Sequence, residues 1–227
     1  MPADHSLLTA LATSLGRGVV GFVLAVAIGT PIGIAVARVR WVRTALGPLL
    51  KALQVLPSVA WVPAAVLWFG LTDATVYFVV LVGSVPSVVT GLVTGIDQVP
   101  AWYRRVGTVL GAGPLAMTQH VILPAALPAY VSGLRQSWAF AWRSLMGAEL
   151  IAGGDRLGFG LGSLLHDGRV RDDLRTVLVA MLLILAVGVV AELAGFAPLE
   201  QRLARRRGLV TEVARRPRRG LAPELAR

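Results

Sequence analysis

The sequence predicts an all-α fold, a polytopic transmembrane helical bundle of about five spans. Three observations carry this expectation. Apolar residues make up 56% of the 227 residues, and the mean hydropathy is +0.71. Only 15% of residues are charged, against roughly a quarter in a soluble domain. Five stretches, at about 17–38, 53–70, 74–96, 127–152 and 176–198, approach the roughly 20 apolar residues that cross a hydrocarbon core. Each is expected to be a helix, because lipid offers no partner to an exposed backbone amide.

The first three stretches are punctuated by Gly and Pro: Gly29, Pro31 and Gly33, then Pro57 and Pro63, then Pro86. Membrane helices tolerate such residues as kinks and as points of close packing. The same residues are also candidate hinges. The fourth stretch carries Arg135, Gln136, Arg143 and Glu149, and the fifth carries Glu192. Five tryptophans, Trp61, Trp68, Trp102, Trp138 and Trp142, are expected to anchor span ends at the membrane interface.

Orientation follows from the bases. Fifteen of the 22 basic residues fall in segments 38–51, 104–105 and 202–227. Basic loops favour the cytoplasmic side. The connections 38–51 and 97–126 and the tail from 199 therefore read as cytoplasmic, and 70–75 as external. The segment 153–175 carries four Arg matched by four Asp and is placed outside by parity. Arginines clustered beside apolar spans point to membrane lipid as a partner rather than nucleic acid. The chain has no Cys, which excludes disulfides and thiolate metal sites, and His5, His120 and His166 are too scattered for a metal centre. No Gly-x4-Gly-Lys-Ser/Thr phosphate loop occurs, so no nucleotide or other cofactor is expected in this chain.

The most informative stretch is Gly111-Ala-Gly-Pro-Leu-Ala-Met-Thr-Gln-His-Val-Ile-Leu-Pro124. It is a Gly- and Pro-punctuated loop between two apolar spans. Its spacing, Gly-x9-Val-x-Leu-Pro, resembles the second half of the Glu-Ala-Ala loop of binding-protein-dependent ABC importer permeases. Further along, Leu123 to Glu149, Leu56-Pro57-Ser-Val-Ala-Trp61-Val-Pro63, Leu67-Trp-Phe-Gly70 and Gly158-Phe-Gly-Leu-Gly162 are similar to the nitrate/sulfonate/taurine branch, including the aliphatic sulfonate permease. The resemblance covers most of residues 17–205.

This resemblance implies a division into an N-terminal segment 1–16, a permease domain 17–198 with a cytoplasmic coupling loop 97–124, and a basic cytoplasmic tail 199–227. Family members usually carry one more helix upstream, so a first helix is expected to be missing here. The coupling positions fall on Arg105, Val106, Gly107, Gly111, Val121, Leu123 and Pro124. The family's Glu-Ala-Ala lands on Arg105, Val106 and Gly107, so a base stands where the family has an acid. The helix that docks on the ATPase is expected over about 101–120, with Gly111 allowing close backbone approach and Pro124 opening the next span.

For polar residues within the fourth span, two readings stay open. A charge at mid-bilayer costs roughly 2.5–3.5 kcal/mol on insertion scales, so it should face protein or water. Arg143 and Glu149, six residues apart, lie about 240° apart on a helix and are poor partners for each other. Each is expected either to pair with a neighbouring helix or to line the translocation path, where the Arg143 fork suits an oxyanion. Arg135, nearer the cytoplasmic end, is expected to snorkel.

The function implied is the membrane-spanning permease subunit of an ATP-driven importer for a small organic sulfonate or related oxyanion. It would be a homodimer in the bacterial inner membrane, served by cytoplasmic ATPase subunits and an extracytoplasmic solute-binding protein. ATP and Mg would be bound by the partner ATPase, and the chain is not itself an enzyme. Two alternatives are a self-contained secondary transporter, which needs coupling acids at the membrane midplane, and a degenerate scaffold that transports nothing.

Overall fold

The computed structural model describes residues 3–153 and 158–206. Among them every regular element is helical. Helix α1 (Ala3–Arg38) is followed by α2 (Arg40–Val55), a 3-10 turn (Ser58–Trp61) and α3 (Val62–Phe69). Helix α4 (Asp73–Asp97) leads into α5 (Ala101–Val109) and the single turn α6 (Pro114–Ala116). A π-helical segment (Met117–Ile122) then opens α7 (Leu123–Ala152). The described residues close with α8 (Leu161–Val170), α9 (Leu174–Val190), a second π-helical segment (Ala191–Phe196) and α10 (Ala197–Arg206). Residues 207–227 of the tail lie outside the described residues.

The first span starts well before residue 17. Ala10, Ser14, Arg17 and Ala25 recur at helical spacing and are all buried, so the inward face of α1 continues through residues expected to precede the bundle. Pro31 and Pro86 sit inside α1 and α4 without ending them. The second span departs from expectation. Pro57 disfavours a helical conformation at the residue before it, and Leu56 is extended, at φ −76° and ψ 123°. The helix stops there, and the 3-10 turn with α3 leaves at 96° to α2. What the sequence predicts as one helix over 53–70 is the end of one helix and a short second one, and the basic 38–51 connection is mostly helix α2.

Helices α1, α4 and α9 (the last continuing into α10) are long and apolar enough to cross a membrane, and the bent α2–α3 pair makes a fourth candidate. Helix α7 has the length, 30 residues, and carries the charges noted above. The bundle is built on α4, which packs against α7 on one side and α1 on the other. The crossing of α4 and α7 is set by glycine. A Cβ on Gly91 would lie 2.6 Å from the Gly133 Cα, so the two backbones touch.

Trp138 and Trp142 are core residues rather than interface anchors. With Ala141 and Leu145 they pack on Val76, Val79 and Val80 of α4, and the Trp142 indole N–H donates to the Ile184 carbonyl at 3.2 Å. Trp68 and Trp102 are exposed. Helix α9 shows Leu178, Met181, Leu182 and Leu185 on its outer surface, a face made for lipid. Its N-terminus is capped by Asp173, whose carboxylate accepts from the Arg175 and Thr176 amides. The Thr176 hydroxyl also bonds to it and holds that carboxyl below its usual range.

The two ends of the bundle differ. One, the basic end, gathers the Arg43–Asp97 ion pair, α5 to α6 and α10. Arg135 does more than snorkel there: it is clasped by Glu192 and Glu200, with Ser132 donating to Glu200 at 2.8 Å. The other end gathers Arg17, Asp73, Glu149 and the start of α8. The parity scheme that groups 70–75 with 153–175 therefore matches the geometry.

Candidate functional site

The connection between α4 and α7 folds as a compact helical hairpin at the basic end. Helix α5 ends in a hydrogen-bond pattern that requires a left-handed residue: the Ala112 N–H reaches the Gly107 carbonyl and the Gly111 N–H reaches that of Thr108, each at 3.0 Å. Gly111 takes φ +78° at that position, and a Cβ there would meet open space. Its role is conformational, and the expected close approach belongs to Gly107. That residue is buried, and a Cβ on it would lie 2.6 Å from the Met117 terminal methyl. The predicted helix over 101–120 is therefore two pieces, broken at 110–113. The second piece runs without interruption through the π-helical turns into α7. Pro124 lies where the π-helical turns pass into α7, inside a helix that continues from Pro114, so it removes a ladder hydrogen bond there and coincides with the π-helical irregularity.

Gly111→Ala should cost about 1 kcal/mol, the penalty of a left-handed L-residue. Gly113→Ala should cost less, because Gly113 has an ordinary φ of −68° and free space for a Cβ. Thermal unfolding of the two variants in detergent checks the difference.

The outer surface of α5 is apolar where a soluble loop would be polar. Trp102, Val106 and Val109 lie on one helical stripe, followed by Leu110 in the turn, and all four are exposed, Val109 at 86% and Leu110 at 79%. Arg104 and Arg105 flank them and are also exposed. Of the predicted coupling positions, Arg105 and Val106 face outward, Gly107 faces Met117, and Val121, Leu123 and Pro124 lie where the loop joins α7. The sequence reading missed Val109 and Leu110, although the i, i+4, i+7 spacing from Trp102 was there to be read.

Above the loop, a cavity of about 1180 Å³ opens between α4 and α7. Thr90 and Thr94 of α4, Gln98 at its C-cap, and Ser132 and Gln136 of α7 line it. Trp102, Tyr103 and His120 form its floor. Arg143 is seven residues beyond Gln136, close to two helical turns along the same face of α7. It is exposed, with its Nε donating to Ala139 O at 2.9 Å and its guanidinium 4.7 Å from the Phe140 ring centroid.

Glu149 points the other way and is 1% exposed. Its carboxylate accepts from Ser14 Oγ at 2.7 Å, from Arg17 at 3.3 Å and from the Gly162 amide at 3.0 Å. Ser14 Oγ in turn accepts from the Leu161 amide at 2.8 Å. Leu161 and Gly162 open α8, whose first amides lack partners within the helix, so α7 and α1 together cap α8. A Cβ on Gly160 would lie 2.5 Å from the carboxylate and one on Gly162 2.5 Å from the Glu149 Cβ, while Gly158 takes φ +74°, which accounts for the three glycines of the 158–162 stretch. Arg17 also bridges to Asp73 at 2.7 Å. The structure thus separates Arg143 and Glu149, as their spacing predicts, and pairs Glu149 with a neighbouring helix.

The fold and these features define a permease-type membrane subunit. A model of the binding-protein-dependent transport system inner membrane component matches residues 29–204. The chain belongs to that family, in the nitrate/sulfonate/taurine branch of ABC importer permeases. It is 30% identical over 189 residues to the bicarbonate transport system permease CmpB of Synechococcus elongatus, covering 83% of this chain and 67% of that one. It is 33% identical over 156 residues to the taurine transport system permease TauC of Escherichia coli, covering 69% and 57%. The nitrate import permease NrtB of Synechocystis is 26% identical over 189 residues, with coverage of 83% and 67%. The chain thus spans roughly two thirds or less of these relatives' lengths. Among solved structures, the inward-facing MetNI methionine ABC transporter superposes with a TM-score of 0.75 at 16% identity, over 89% of this chain and 98% of that one. That likeness concerns the fold alone.

Proposed function

We propose that this chain is the membrane-spanning subunit of an ATP-driven importer for a small oxyanion of the nitrate, bicarbonate or sulfonate class. It works as a homodimer in the bacterial inner membrane. Cytoplasmic ATPase subunits bind ATP and Mg and dock on the 97–124 hairpin, and an external solute-binding protein delivers the anion. The hydrolysis chemistry belongs to the partner. The observation that carries this reading is the exposed apolar stripe Trp102, Val106, Val109 and Leu110 on α5. An apolar surface rimmed by charge marks a protein-docking site. The stripe lies on α5, which packs through Gly107 on Met117 of the hairpin's second piece, and that piece runs without a break into α7, so force on α5 reaches α7 through this contact. Arg143, on the cavity face of α7, is the candidate anion contact deeper in the path. Glu149 serves as the clamp that fixes α8. The secondary-transporter reading has less support, because Glu149 and Glu192, the acids within the spans, are both held in ion pairs with arginine.

Deleting residues 105–120 should abolish anion uptake and the ATPase activity that accompanies it, in vesicles carrying the chain with its ATPase subunits. Arg105→Glu should preserve or raise both. Uptake unchanged by the deletion would sink the docking reading. Growth of a strain lacking the gene on ethanesulfonate or taurine as sulfur source, on nitrate as nitrogen source, or at limiting bicarbonate assigns the anion.

A further inference from the structure

We infer that the cavity between α4 and α7 is itself a weak binding site for a small oxyanion, walled by neutral hydrogen-bond donors and floored by the docking hairpin. The inference rests on the importer reading for the identity of the anion, but its geometry stands separately. Two stripes of polar side chains face each other across the cavity. Thr90 and Thr94 on α4 and Gln98 at its C-cap recur every fourth residue, and Ser132 and Gln136 do so on α7. No Asp, Glu, Lys or Arg is among the residues that line it.

Some of these groups are already engaged. The Thr90 hydroxyl donates to Pro86 O at 2.9 Å and accepts from Gln54, and Ser132 donates to Glu200. The side chains of Thr94, Gln98 and Gln136 make no hydrogen bond to another described residue. One hydroxyl and two amides are therefore available to a guest. Amides and hydroxyls bind either sign of charge, so the surroundings decide. Of the acids nearest this end, Asp97 is matched by Arg43, while Arg135 bridges both Glu192 and Glu200, which leaves one negative charge against the two arginines of the hairpin. Arg104 and Arg105 form no ion pair among the described residues and stand on the hairpin beside the mouth. The field at the mouth is therefore positive and concentrates anions.

Neutral donors also suit passage. A charge-assisted bond to arginine is about twice as strong as a neutral one, and a path must hold its passenger weakly enough to release it. A guest here touches Trp102, Tyr103 or His120, which belong to the same hairpin that meets the ATPase. Occupancy of the cavity and the position of the docking surface are thereby linked.

The chain has no cysteine, so single cysteines can be introduced directly. Gln136→Cys and Thr94→Cys, in the assembled importer in vesicles, are treated with an anionic ethyl-sulfonate methanethiosulfonate and its cationic trimethylammonium counterpart. Each rate is divided by that of Thr108→Cys, on the exposed surface of α5. The normalised anionic-to-cationic ratio should exceed one by about tenfold, the lower range of focusing in a charged cleft. Nitrate, bicarbonate or taurine at millimolar concentration should slow labelling at Gln136→Cys and Thr94→Cys but not at Thr108→Cys. Equal ratios at all three positions, with no protection by any of these anions, would overturn the inference. Labelling needs no turnover, so loss of uptake in the hairpin deletion and loss of anion protection here report on different claims.

Discussion

Glu149→Ala is expected to destabilise the protein by about 3–5 kcal/mol, the usual consequence of removing one partner of a buried ion pair. The loss has three parts. Arg17, 8% exposed, loses its buried carboxylate partner. The Gly162 amide loses its acceptor, and Ser14 loses the group its hydroxyl donates to. Glu149→Gln separates these effects, because an amide oxygen still accepts from Gly162 and Ser14 while the charge is gone. It should fall between wild type and alanine. Pairing Glu149→Gln with Arg17→Met should recover part of the loss, since a buried pair replaced by apolar groups is often close to neutral. Thermal unfolding of the four proteins in one detergent checks this. Equal midpoints for Glu149→Ala and wild type would mean that the cluster does not hold the end of the bundle together.

Gly133→Val should be as damaging for a different reason. Overpacking a core usually costs about 1–3 kcal/mol because side chains shift. Here the obstacle is the backbone of Gly91, 2.6 Å from a Cβ at 133, and no rotamer relieves it. Helices α4 and α7 must separate, which also widens the cavity that they enclose. Gly16→Val is the control, since Gly16 is exposed and a Cβ there meets nothing within 4 Å. Extraction yield and monodispersity by size-exclusion chromatography should collapse for Gly133→Val and hold for Gly16→Val.

Much of this was legible in residue patterns. The apolar runs locate α1, α4 and α9, because a membrane crossing needs only length and hydropathy. The bases sort the connections into two groups, and the spacing from Gly111 to Pro124 marks the hairpin. Other features depend on contacts that no local pattern encodes. Glu149 meets Ser14 and Arg17 across 135 and 132 residues, so its role as a cap for α8 is invisible until the helices are packed. Trp138 and Trp142 look like interface anchors in one dimension, and only the position of α4 makes them core. The second span misled because hydropathy does not register direction: residues 53–70 are apolar throughout, yet Pro57 turns the chain through 96°.

That turn bears on how the protein enters the membrane during synthesis. Helix α3 is eight residues, about 12 Å, less than half of a hydrocarbon core about 30 Å thick. Inserted alone, the α2–α3 pair would expose to lipid the Leu53 carbonyl, which Pro57 cannot satisfy, and such a group costs several kcal/mol there. The residues flanking the bend are met by chain made later: Thr90 meets Gln54, and Ser144 meets Ser58 across 86 residues. The contact with Ser144 can form only once α7 has emerged from the ribosome. Helices α1, α4 and α9 have the length and apolarity to enter on their own, so the bent pair is expected to reach its final packing after helices that are translated later than it.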